Sequence, residues 1–243
     1  MKRKSMRDRV KRRCMMKYDY FRMFGTAKQL TRATKLALRC FCLGMVLSLA
    51  TAAAPVDGVI LFLGDSITAG NGLDLSQAYP AIIQEKIDAQ GWRFRAVNAG
   101  QSGDTSAGGL SRLNWLLKNR VAVLVLELGG NDGLRGLPVE TTRKNLQLII
   151  DRTRKQYPAA KIIIAGMKVP PNMGRAYADK FEAIFADLAA HNKAPLIPFI
   201  LEGVGGEPEL NFADGIHPNA KGQEIVAANV WKVLEPVLRS MAK

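Results

Sequence analysis

Between residues 59 and 199, five short apolar runs are separated by amphipathic helical patterns. The runs are Val59–Leu63, Phe94–Asn98, Ala122–Leu128, Lys161–Ala165 and Leu196–Phe199. They are short and read as apolar on both faces, as in a parallel sheet covered by helices. The intervening segments supply that cover. Leu110, Leu113 and Leu117 recur at helical spacing, as do Val139, Thr142, Leu146, Ile149, Ile150 and Thr153. Val226, Val230, Val233, Leu234 and Val237 do the same near the end of the chain. Strands alternating with helices predict right-handed crossovers and a three-layer α/β/α sandwich. After residue 55 the chain shows no repeat, linker or low-complexity stretch.

Sheets of this kind bind ligands beyond the carboxyl ends of their strands. The unusual polar clusters fall there. Gly64-Asp65-Ser66 follows the first run, Gly100-Gln101-Ser102-Gly103-Asp104 the second, and Gly129-Gly130-Asn131-Asp132 the third. Lys168-Val169-Pro170-Pro171-Asn172 follows the fourth, and Asp214-Gly215-Ile216-His217 is expected to open the last helix. Their convergence on one edge says more than any single cluster.

Charge is distributed unevenly. The net charge is +14, yet residues 1–54 hold 14 Lys/Arg against 2 Asp/Glu, leaving 21 basic and 19 acidic side chains in the remainder. The folded part is nearly neutral, which excludes a polyanion-binding surface. A basic segment ends at Arg39, an uncharged run covers Cys40 to Ala54, and small residues lead to Pro55. That order is expected of a secretory signal peptide with an extended basic n-region, cut after Ala52 or Ala53. The apolar run is short for a membrane span, so a retained anchor is the weaker reading. All three cysteines (Cys14, Cys40, Cys42) lie in this leader, and Arg39 and Phe41 precede the latter two where a lipobox has a small residue. The domain over residues 55–243 therefore has no disulfide, thiolate nucleophile or cysteine metal site.

Ser66 stands immediately after the first apolar run, where a strand would hold a hydroxyl rigidly at its end. Taken alone, Gly-Asp-Ser also suits a helix cap. His217 is one of two histidines; Asp214, three residues before it, can accept from one ring nitrogen and leave the other for Ser66. Asp214 could also cap the last helix. His191 sits at an expected helix end, as a solvated imidazole would. Gly103 could offer a backbone N–H and Asn131 a side-chain N–H to an oxyanion, although both residue types also serve ordinary turns. Neither glycine cluster continues as a phosphate-binding GK[ST] loop. The chemistry indicated is acyl transfer by a serine.

Four blocks occur in order: Gly64 to Thr68, Asn98 to Ser106, Glu127 to Asp132, and Asp214 to Pro218. Together they resemble the SGNH (GDSL) hydrolase family over residues 57–240. Gly129 to Gly136 looks most like the bacterial periplasmic acyl-CoA thioesterase/lysophospholipase/arylesterase branch. The resemblance implies a flavodoxin-like parallel five-stranded sheet of order 2-1-3-4-5, with Ser66 as nucleophile, His217 as base and Asp214 orienting it. It also implies an oxyanion hole from the Ser66 and Gly103 N–H groups and the Asn131 side chain.

The implied substrates are acyl esters and thioesters, including lysophospholipids; export argues against bulk acyl-CoA. A carbohydrate or peptidoglycan O-acetyl esterase, or an acyltransferase, using the same residues is the alternative. Leu134, Leu137 and Met173 could line an acyl groove or simply pack their loops, and Arg135 and Arg175 could meet an anionic headgroup or water. No cofactor is expected, and with no cysteine and one spare histidine no metal site is indicated. The expected partners are small acyl substrates, with transient membrane contact, no nucleic acid and a monomeric chain, located in the periplasm or secreted.

Overall fold

A computed structural model describes residues 58–242. The expected leader over 1–54, with its cysteines, lies outside the described residues. Five parallel strands form one sheet of order β2-β1-β3-β4-β5. They are β1 (Gly58–Gly64), β2 (Phe94–Gly100), β3 (Val121–Glu127), β4 (Lys161–Ala165) and β5 (Leu196–Ile197). Strand β1 is central and buried along its whole length, whereas edge strand β2 is buried mainly at Phe94 and Ala99. In register, Gly64 lies beside Gly100 on one side and Glu127 on the other, so the three strands end level. That common end is where the polar clusters emerge.

The helices are α1 (Ser66–Ala69), α2 (Tyr79–Ala89), α3 (Ser106–Leu116), α4 (Gly130–Leu134), α5 (Val139–Gln156), α6 (Arg175–Asn192) and α7 (Ala220–Met241). Helix α2 packs with α7, while α3 meets α5 and α5 meets α6, which makes two helical layers around the sheet. Helix α5 buries Thr142, Leu146, Ile149, Ile150 and Thr153, the expected stripe apart from Val139, which is only partly buried. Each fully buried Leu, Ile or Phe contributes about 1.5–3 kcal/mol. Among the described residues, no helix is long and apolar enough to cross a membrane.

Two expectations are corrected. Strand β5 stops at Ile197 rather than Phe199, because Pro198 has no N–H to continue a ladder. The last helix opens at Ala220 rather than Asp214. Its N-cap is Asn219, whose side chain accepts from the Gly222 N–H. Residues 214–218 instead form a tight loop, closed by Phe212 N–H donating to the His217 carbonyl at 2.8 Å.

Candidate active site

The site begins where β1 runs out. Asp65 caps α1 by accepting the Ile67 N–H at 3.0 Å, which places Ser66 at the first helical position. Its N–H therefore points out of the helix with no intrahelical acceptor. Ser66 is buried, at 8% exposed.

His217 comes from the loop before α7. His217 Nε2 lies 2.9 Å from Ser66 Oγ, and its Nδ1 lies 2.7 Å from Asp214 Oδ2. Asp214 Oδ1 accepts the backbone N–H groups of Ile216 and His217 at 2.9 and 3.0 Å. The His217 backbone N–H, followed by its ring, holds the Asp214 carboxyl down at about 2. Asp214 thus grips its own histidine loop rather than capping a helix. The carboxylate–imidazole–hydroxyl alignment is that of a serine whose proton can be removed.

Gly103 and Asn131 come from the segments that follow β2 and β3. Gly103 occupies a turn at φ 81°, a conformation side chains disfavour, and a Cβ there would meet no heavy atom within 4 Å. The left-handed backbone, not lack of space, accounts for glycine at this position. Asn131 lies in α4 and donates from Nδ2 to the Asp104 carbonyl at 2.9 Å and to Asp65 Oδ2 at 3.3 Å. It therefore ties the nucleophile turn to the Gly103 turn. Through Asn131 the Asp104 carbonyl, next to Gly103, and the Asp65 carboxyl, next to Ser66, are joined.

The residues expected to meet substrate divide. Arg135 reaches across the site, donating from Nη2 to the Gly103 carbonyl at 3.1 Å. Leu134 is 41% exposed on the same short helix. Leu137 is held through its carbonyl by Tyr177 Oη–H at 2.8 Å, and the Met173 side chain approaches Gly136. Arg175 is not brought in; it is 94% exposed and faces Asp179 on its own helix. His191 lies at the end of α6 in a groove of about 970 Å³ that contains none of Ser66, Asp214 or His217. Its mixed charges, from Glu140, Arg143, Lys180 and Asp187, make it a solvated cleft. A second groove, of about 420 Å³, runs from Ala69 along Leu75, Pro80 and Ala96.

Sequence reasoning missed the residues behind these. Arg112 Nε pairs with Asp104 Oδ2 at 2.6 Å and its Nη2 donates to the Gly64 carbonyl at 3.0 Å, clamping the Gly103 turn to β1. Asp132, 1% exposed, accepts from Ser106 N and Oγ and from Thr142 Oγ1, which fixes α4 against α3 and α5. Glu127 is fully buried beneath Asp65. A single acid ending the apolar run Val121–Leu126 was the available signal for it.

Comparison with known proteins places these features in a wider set. The profile of the GDSL-like lipase/acylhydrolase family matches residues 62–225. Esterase TesA of Pseudomonas aeruginosa is 44% identical over 198 residues, covering 81% of this chain and 96% of that protein. Thioesterase 1/protease 1/lysophospholipase L1 of Escherichia coli K12 is 39% identical over 195 residues, covering 80% and 91% respectively. The crystal structure of psychrotrophic esterase EstA from Pseudoalteromonas sp., inhibited by monoethylphosphonate, superposes with a TM-score of 0.70 at 31% identity. That match covers 75% of this chain and 99% of the other.

Proposed function

The chain belongs to the GDSL-like lipase/acylhydrolase family, and from that premise we propose that it is a serine esterase cleaving carboxylic ester and thioester bonds through an acyl-enzyme. The observation that carries the mechanism is the line from Asp214 through His217 to Ser66, at 2.7 and 2.9 Å. Ser66 Oγ attacks the acyl carbon while His217 Nε2 takes its proton, and Asp214 balances the imidazolium that results. The N–H groups of Ser66, Gly103 and Asn131 receive the oxyanion, each donor lowering the barrier by about 2.7–4 kcal/mol. His217 then returns the proton to the departing alcohol or thiol. Water, deprotonated by the same nitrogen, releases the acid.

Relatives named as esterase and as thioesterase/lysophospholipase favour acyl esters, thioesters and lysophospholipids as the substrate class. Leu134, Leu137 and Met173 would line the acyl path, with Arg135 at its rim. The basic and then apolar order of residues 1–54 supports a secretory signal and action outside the cytoplasm.

The test is hydrolysis of p-nitrophenyl esters from acetate to palmitate, with Ser66→Ala in parallel. Turnover should fall by about 10⁴-fold or more in the variant. An active Ser66→Ala protein would reject the nucleophile. Turnover confined to acetate would move the assignment to an acetyl esterase.

A further inference from the structure

The reaction above leaves unused one carboxyl group, directly beneath the nucleophile. Glu127 ends β3 and is fully buried. Its Oε2 accepts the Asp65 backbone N–H at 3.1 Å and the Thr68 hydroxyl at 2.6 Å. Thr68 has a single proton, which goes to Glu127. The Tyr79 hydroxyl, 2.8 Å from Thr68 Oγ1, must then donate to it. The donors run in one direction, toward one oxygen. The other oxygen, Oε1, is buried with no hydrogen-bond partner among the described residues. A Cβ on Gly64 would collide with Thr68 and with this carboxyl, so the cluster is closed on that side.

No cation balances Glu127. Among the described residues, Arg112 is committed to Asp104 and His217 to Asp214 and Ser66. The titratable groups facing Glu127 are Asp65 from the turn after β1 and Tyr79 from α2; Asp104 lies behind Asp65. A carboxylate buried without a cation reverts to its neutral form, and two adjacent buried carboxyls cannot both ionise. Burial, and after it the neighbouring Asp65, push the Glu127 carboxyl well above its usual range. Asp65 has the stronger claim to the charge. It accepts from Ile67 N and Asn131 Nδ2, and it feels the field of His217.

We propose that Glu127 is a positioning residue acting as a neutral carboxylic acid with its proton on Oε1, which locks the Asp65–Thr68 turn presenting Ser66 and leaves Asp65 as the sole anion of the pair. The inference rests on Ser66 being the nucleophile. Neutrality has a purpose at this place. The oxyanion forms over the Ser66 N–H, and a second buried negative charge below that turn would oppose it.

The test joins spectroscopy to kinetics. At mildly alkaline pH the wild-type protein is expected to show the infrared C=O band of a protonated carboxyl group, shifted in D₂O and absent from Glu127→Gln. Isotopic labelling of glutamate assigns the band without substitution, so the test survives a variant that does not fold. Glu127→Gln keeps a neutral group and an accepting oxygen, and its kcat should stay within about threefold of wild type. Glu127→Asp keeps the acid but withdraws it from the turn, and kcat should fall about 10²-fold with KM little changed. Absence of a protonated-glutamate band overturns the proposal, as does a Glu127→Gln enzyme as impaired as Glu127→Asp. Mass-spectrometric labelling by a fluorophosphonate separates the two readings. An unmodified Ser66 defeats the nucleophile assignment, whereas a modified Ser66 without the band defeats this inference alone.

Discussion

Asn131 has two side-chain protons, and in the resting protein both are engaged. The donation to the Asp104 carbonyl is 2.9 Å and that to Asp65 Oδ2 is 3.3 Å, so an oxyanion would displace the longer one. Asn131→Ala should lower kcat by about 10²–10³-fold and leave KM nearly unchanged, as steady-state kinetics would show. Equal loss through KM would mean that Asn131 binds substrate instead. The two acids near the reaction respond to pH in opposite directions. Burial lifts Asp65 from 3.8 to about 6. As pH falls through about 6 the folded chain binds a proton that the unfolded chain takes up only near 3.8, so this group adds stability on acidification. Asp65→Asn should therefore be more stable than wild type above pH 6, on the order of 1–3 kcal/mol, with the difference shrinking towards pH 4. Thermal melts across that range decide it; a difference that widens on acidification contradicts the assignment. Asp214 behaves in the reverse sense: its contribution is present above its ordinary 3.8 and is lost as pH falls through about 2.

At the scale of elements, the loop before α7 carries His217, and Asn219 anchors that loop. Its Oδ1 caps the helix while its Nδ2 donates to the Glu209 carbonyl at 2.9 Å. Asn219→Ala should cost about 1–2 kcal/mol of stability, read as a lower melting temperature. Activity at low temperature should persist, since the Asp214–His217 contacts are internal to the loop; complete inactivity of the folded variant would show that the loop needs the cap. The strands and the buried stripes of α5 and α7 were legible because periodicity and continuous apolar runs report burial directly. The pairing of Asp214 with His217 and its contact with Ser66 were also expected, from a serine that follows a strand and an acid three residues before a histidine. What the sequence concealed depends on register. Glu127 matters because it lies opposite Gly64, and Arg112 because it reaches from α3 to the end of β1. Neither relation has a local signature. The start of α7 was misplaced because Asp214 and Asn219 are both good caps and only the fold of residues 211–218 chooses between them.

Across the whole molecule, charge and chemistry are separated. Nearly all the excess positive charge belongs to residues 1–54, and the described domain carries the chemistry. If the leader is removed on export, the N-terminus of protein recovered outside the cytoplasm should lie at Ala53 or Ala54, which Edman sequencing would establish; an intact leader on that protein would identify an anchor. The domain also depends on the chain's last turns. Ser66 and His217, which touch in the fold, are 151 positions apart. Helix α7 does more than follow the histidine, since Gln223 accepts from Tyr79 N at 2.8 Å and donates to the Ile67 carbonyl at 3.1 Å. A growing polypeptide that has emerged as far as residue 200 has made its serine but has neither the imidazole nor the brace for the turn that displays it. If Ser66 and His217 act as proposed, ester hydrolysis begins only once residues 214–241 have been made and α7 has docked.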